Sequence, residues 1–265
     1  MRRPATGRLG RSAGRWADAA AARGVSPRAL ALALLLLFAS LWAVGVLTED
    51  VVTGDPIVRL DRQVADWLHD HRSAELTSLL RAGTTLGSAW VLVPLALGTV
   101  AYLLAKGARR RAVLVALAIV GAEVLTLGLK TGFERRRPFF ADPLASESSF
   151  SFPSGHATVS LAVYGALAYL ASRRLGNAAA GRAVLVGAVL LVVLIGFSRL
   201  YLGVHFLSDV LAGLSAGLAW LVLCVLAVDL RRPPNEGITR GPSRRYRRRP
   251  DGPGEFGRPT TRRSM

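Results

Sequence analysis

Most of the chain consists of long apolar stretches separated by short polar ones. Ala29 to Leu47 is an uncharged run of 19 residues. Runs of about 18 or more predict membrane-spanning helices. Five further stretches follow: Ser88–Ala105, Ala112–Leu129, Gly155–Ala171, Ala183–Tyr201 and Phe206–Val228. The third span holds Glu123 and the sixth holds Asp209. The pattern predicts an all-α bundle of six transmembrane helices. The first run exceeds a signal-peptide core of about 7–15 residues and no A-x-A-like site follows it, so it is expected to be an uncleaved anchor.

The polar segment 48–87 has a pattern of its own. In "IVRLDRQVADWLHD", Ile57, Leu60, Val64, Trp67 and Leu68 recur at helical spacing. This predicts an amphipathic helix lying on the membrane or on the bundle.

Charge adds orientation. The chain has 265 residues and a formal net charge of +17. Most of that excess lies in residues 1–28 (net +6) and 231–265 (net +8). Both tails are rich in Gly, Pro, Ser and Arg and are expected to be disordered. No aromatic residues interleave usefully with their arginines, so a nucleic-acid partner is not expected. The division that follows is a basic cytoplasmic tail over 1–28, a membrane domain over 29–230 and a second basic cytoplasmic tail over 231–265. Six spans put both tails on one side, with 25 of the Lys and Arg residues against nine on the other. The positive-inside rule then places both termini in the cytoplasm. Cys224 is the single cysteine, so no intramolecular disulfide and no cysteine zinc cluster is available.

The remaining polar residues of the spans are not scattered. Lys130 ends the third span, Ser154 and His156 open the fourth, Arg199 ends the fifth, and His205 and Asp209 open the sixth. With the orientation above, all of them meet at the outer face. Charge at bilayer depth costs roughly 2.5–3.5 kcal/mol per residue on insertion scales, which makes such residues functional candidates.

Three stretches carry the chemistry: "KTGFERRRP" (Lys130–Pro138), "PSGH" (Pro153–His156) and "SRLYLGVHFLSD" (Ser198–Asp209). Lys130, Arg137 and Arg199 supply cations, and arginine grips phosphate with paired hydrogen bonds. Ser154 is a suitable N-cap, and Gly155 lets the start of a helix approach an anion closely. His205 and Asp209, four apart, are expected on one helix face, with the carboxylate orienting the imidazole. His156 comes from another helix and suits an acid for a leaving oxygen. Two histidines and a carboxylate could also hold a metal, but three cations nearby would repel it. Singly, these features have plainer explanations: a satisfied histidine at a helix end, or "RRR" as a headgroup anchor. Neither accounts for three motifs on four helix ends at one face. His69 and His71 are expected to be surface residues. Glu123 lies seven residues before Lys130 on the same helical face; a polar partner in the bundle is one reading, and the sequence leaves its role open.

The order K-x6-RP, PSGH, SR-x5-H-x3-D resembles the signature of the type 2 phosphatidic acid phosphatase (PAP2) superfamily, which also contains vanadium haloperoxidases and glucose-6-phosphatases. The resemblance covers roughly residues 50–228, and all three motifs match. It implies a PAP2/haloperoxidase-like helical bundle and a phosphatase that needs no metal and no other cofactor. It further implies that His205 attacks phosphorus to form a phosphohistidine, with Asp209 orienting it and His156 protonating the leaving group. Lys130, Arg137, Ser154, Gly155 and Arg199 would hold the phosphate oxygens. The expected partners are a lipid phosphate or diphosphate substrate and the surrounding membrane lipids. A phosphotransferase using the same phosphohistidine is the first alternative. An anion transporter is more remote, because the polar residues gather at one face and form no continuous path.

Overall fold

A computed structural model describes residues 25–54, 56–145 and 147–231. Nearly all of both basic tails lies outside these residues. Eight helices are described: α1 (Pro27–Thr53), α2 (Pro56–Asp70), α3 (Ala74–Thr85), α4 (Ala89–Ala105), α5 (Arg109–Phe133), α6 (Gly155–Ser172), α7 (Ala178–Tyr201) and α8 (Leu207–Asp229). The described residues contain no strand. Helices α1, α4, α5, α6, α7 and α8 correspond to the six expected spans.

Four of those six, together with the combined stretch Ala74–Ala105, are long and apolar enough to cross a membrane. Helix α6 is the exception, and its position explains why. It packs against α5, α7 and α8 and lies at the centre of the bundle. A helix shielded from lipid does not need a lipid-compatible surface, so α6 can carry His156, Thr158 and Ser160 among small residues. The main core lies along it, where Val159, Ala162, Val163 and Ala166 meet Leu92, Leu114, Ala118, Ala122 and Cys224.

The crossing of α6 with α8 depends on two glycines four residues apart. A Cβ on Gly213 would lie 2.6 Å from the carbonyl oxygen of Ser154, and one on Gly217 would lie 2.6 Å from that of Thr158. Small residues at this spacing let two helix backbones approach, the common route to tight packing in lipid. The approach fixes the first turn of α6 beside the first turn of α8.

The segment 48–87 differs from expectation in two ways. It holds a second helix, α3, which packs on α7. In α2 the inward face also takes in Asp61, which an apolar pattern cannot register. Leu60 and Trp67 are exposed, whereas Asp61, Ala65 and Leu68 are buried. The stripe itself is divided: Val64 and Leu68 pack into the core under the site, while Leu60 and Trp67 face outward, as suits a helix at a membrane surface. Glu123 is the acidic residue of α5, and its role is left open by the sequence. It lies on the exposed side of α5, in line with the exposed Val120, Val124 and Leu127, and does not point into the bundle.

Candidate active site

The end of α5, the start of α6, the end of α7 and the start of α8 meet at one end of the bundle, under the long segment 134–154. The short connections at the opposite end carry Lys106, Arg109, Arg110, Arg111, Arg173 and Arg174. A second core cluster underlies the site, with Leu68, Leu80, Ala157, Tyr201, Leu202, Val204 and Val210 packed together. It gives the polar residues above it a rigid apolar floor.

His205 is 2% exposed and lies in the turn before α8. The expected helical i, i+4 pairing with Asp209 is therefore replaced by a turn. Asp209 is the third residue of α8 and reaches back, accepting from the backbone N–H of Phe206 at 2.8 Å. This brings its Oδ2 to 3.4 Å from Nδ1 of His205, longer than a well-formed hydrogen bond. The other ring nitrogen, Nε2, lies 3.1 Å from Nη1 of Arg137. A neutral imidazole protonated on Nδ1 suits both neighbours, with Nε2 accepting from Arg137 and the Nδ1 proton turned toward the carboxylate without a formed hydrogen bond. Burial pushes the His205 pKa down to about 4, against the opposing pull of Asp209.

The cations surround this ring. Arg137 also donates to the carbonyl of Val204 at 2.7 Å and to that of Ser149 at 2.7 Å. Lys130 donates to Ser149 Oγ at 2.9 Å and to the Phe150 carbonyl at 2.7 Å. Arg199 is 4% exposed and pairs with the Glu147 carboxylate, while its Nη1 donates to Thr84 Oγ1 at 3.1 Å. Against the upward push of burial, Arg199 and Arg137 hold the Glu147 carboxyl below its usual range. His156, in the first turn of α6, lies within electrostatic reach of Arg199, Glu147, His205 and Lys130. Its ring also lies close to Gly87, where a Cβ would come within 3.2 Å of Cδ2.

Ser154 occupies the N-cap position of α6, but its side chain makes no capping bond. Its Oγ and the Nε of Arg199 are buried without a hydrogen-bond partner among the described residues. Buried donors of this kind are costly unless something satisfies them. The open amides of the first turn of α6 add to an anion-attracting surface.

Lys130, Arg137, Ser154, Gly155, His156, Arg199, His205 and Asp209, named from the sequence for phosphate chemistry, therefore lie in this one region. Sequence reasoning missed four others. Arg135 donates to Asp209 Oδ1 at 2.6 Å and to Asp61 Oδ2 at 2.7 Å. Ser151 hydrogen-bonds Asp209 Oδ2. Ser149 joins Lys130 to Arg137, and Glu147 covers Arg199. Arg135 was visible as part of "RRR", but nothing local set it apart from Arg136. His69 faces Asp142 at 3.4 Å and stacks on Phe140, so it clamps the 139–145 segment and is more than a surface residue.

Comparison with known proteins agrees with this geometry. A family model described as "PAP2 superfamily" matches residues 111–233. Over 91 residues the chain is 50% identical to phosphatidylglycerophosphatase B of Bacillus subtilis, covering 34% of this chain and 44% of that protein. Over 166 residues it is 31% identical to lipid A 1-phosphatase of Rhizobium johnstonii, covering 54% and 64%. The matches thus span about half to two thirds of the length of these curated relatives. Among solved structures, the fold resembles a transmembrane PAP2 type phosphatidylglycerolphosphate phosphatase from Bacillus subtilis, with a TM-score of 0.63, 32% identity, and 73% of this chain and 94% of that one covered. It also resembles LpxE of Aquifex aeolicus, with a TM-score of 0.51 and 26% identity over 63% of this chain and 94% of that one.

Proposed function

Because the chain belongs to the PAP2 superfamily and is a multi-pass membrane protein, we propose that it is a phosphatase that cleaves a lipid phosphate or diphosphate through a phosphohistidine at His205. The observation that carries this reading is the two-sided environment of one imidazole. Asp209 lies by Nδ1, and the guanidinium of Arg137 lies by Nε2 at 3.1 Å.

In the proposed reaction, Nε2 of His205 attacks phosphorus in line with the ester oxygen. The P–N bond forms as the P–O bond breaks, and His156 gives its proton to the departing alkoxide. Lys130, Arg137 and Arg199, with the amides around Ser154 and Gly155, take up charge on the equatorial oxygens. Asp209 stabilises the imidazolium that results. Water then attacks phosphorus, His156 takes its proton, and His205 is released with inorganic phosphate. Transfer to a lipid acceptor instead of water would use the same intermediate.

The catalytic unit is residues 29–230, and the active site faces outward. Support comes from the basic connections at the opposite end and the excess of Lys and Arg on that side. A substrate anchored by its tail would present its headgroup at this depth. The relatives' names point to phosphatidylglycerol phosphate and a lipid A 1-phosphate as the first substrates to try, with phosphatidic acid and an isoprenoid diphosphate beside them. Phosphate release by the purified full chain in detergent tests the reading. Wild type should turn over at least one of these lipids, and His205→Ala should turn over none. A wild type inactive on the whole panel overturns it.

A further inference from the structure

We propose that Asp61, on the outer helix α2, is a positioning residue for the His205–Asp209 pair and acts through Arg135. The proposal rests on the phosphatase reading above. Asp61 is fully buried, although the neighbouring positions Arg59, Arg62 and Asp66 of the same helix are exposed. A buried carboxylate is costly unless it is paired and hydrogen-bonded, and this one is saturated. Its Oδ2 accepts from Arg135 Nη2 at 2.7 Å and from Ser208 Oγ at 2.5 Å, and its Oδ1 accepts from the Ser208 N–H at 2.8 Å. The other arm of Arg135, Nη1, donates to Asp209 Oδ1 at 2.6 Å and to Ser208 Oγ at 2.7 Å. The guanidinium lies over the ring of Phe206, 4.5 Å from its centre. One arginine is thus held between two carboxylates, and both carboxylates and the arginine are tied to the first turn of α8.

The charge arrangement gives Asp61 its role. Arg135 paired with Asp209 alone would consume the charge that the His205 imidazolium needs. With Asp61 on its far side, Arg135 is shared, and the three groups keep a net charge of −1 directed at His205. The other charged and titratable groups around the ring are Lys130 from α5, Arg137 and Glu147 from the 134–154 segment, Arg199 from α7 and His156 from α6. The cations among them oppose protonation of His205; Glu147 offsets Arg199, with which it pairs, and the Asp61–Arg135–Asp209 chain supplies the negative charge that touches the ring itself. Neutralising Asp61 leaves Arg135 to Asp209 alone and makes His205 less basic and less well oriented.

The test uses the full chain in detergent with phosphatidic acid as the probe substrate, and compares wild type, Asp61→Asn, Asp61→Glu and the double variant Asp61→Asn/Arg135→Gln. Asp61→Asn should lower kcat roughly ten- to a hundredfold with KM little changed. The acid limb of kcat/KM should move to lower pH. Asp61→Glu should recover part of the loss. The double variant should move the acid limb back up, because the unbalanced cation is gone. A purely structural role for Asp61 predicts the opposite order, with the double variant worst and every loss tracking thermal stability. NMR titration of ring-labelled histidine, assigned with His205→Ala, reads the same shift without turnover. An active wild type with neither pH readout moved by Asp61→Asn overturns the proposal. An inactive wild type whose His205 titration still shifts in Asp61→Asn overturns only the phosphatase reading.

Discussion

The backbone N–H of Ser154 donates to the backbone carbonyl of Asp209 at 2.9 Å. This bond ties the residue that opens α6, two before His156, to the residue of α8 that faces His205. The two histidines are thus set relative to each other by main chain, over the close α6–α8 crossing at Gly213 and Gly217. Changes to the side chains at the site should therefore disturb chemistry more than fold.

Asp209→Asn is the direct case. The Ser154 bond survives, and an amide can still accept from Phe206 N–H. What is lost is the charge that stabilises the imidazolium and the partner that selects its tautomer. The variant should elute as a folded monodisperse species, with kcat lower by several orders of magnitude, about 10⁴ by analogy with a serine protease triad. Near-normal turnover would make Asp209 structural.

The two histidines should separate by leaving group. A lipid alcohol needs a proton as it leaves, whereas an aryl oxide hardly does. General acid catalysis is worth about 10²–10⁴ in rate. His156→Ala should be crippled on phosphatidic acid and largely restored on an aryl phosphate, and His205→Ala should be inactive on both. The reverse pattern would exchange their roles.

The helix crossing should be intolerant of volume. Gly213→Ala puts a methyl group 2.6 Å from the Ser154 carbonyl. Overpacking of this kind costs about 1–3 kcal/mol, and here it also pushes apart the helix starts that carry the site. Thermal unfolding in detergent should shift down, with a fall in kcat. An unchanged midpoint and unchanged turnover would mean that the helices part without consequence.

The pH profile should reflect the burial of His205. The nucleophile acts as a neutral ring, and burial lowers its pKa to about 4 despite Asp209. The acid limb of kcat/KM should therefore lie well below the ordinary histidine value of about 6.5. The same shift sets a stability window. The folded ring binds its proton less readily than the unfolded one, so this contribution is complete above about pH 6.5. It is lost as pH falls toward about 4. An acid limb at pH 6 or above would show that the ring is not desolvated as described.

Sidedness can be checked with a single thiol. Cys224 is the chain's one cysteine and Ser148 is exposed beside the site. In a Cys224→Ala background, Ser148→Cys should react with an impermeant thiol reagent on intact cells. Reaction only after lysis would reverse the orientation.

The sequence by itself determined the six apolar helices, because the demand that lipid places on a spanning segment is local and repeats at every exposed turn. It also determined that Lys130, Arg137, Ser154, His156, Arg199, His205 and Asp209 fall at the helix ends of one face, since alternating spans return each end to the same side. Tertiary structure decided the rest. Helix α6 lies at the centre of the bundle, so its polar residues lowered the very signal that would mark it as a span. His205 precedes α8, and a turn at Phe206 makes the pairing that helical spacing had suggested. Asp61 lies on the buried side of α2 because Arg135 and Ser208, distant along the chain, arrive there to satisfy it. A periodic pattern reports which residues avoid water, and it cannot report which charge waits for a partner supplied by another helix.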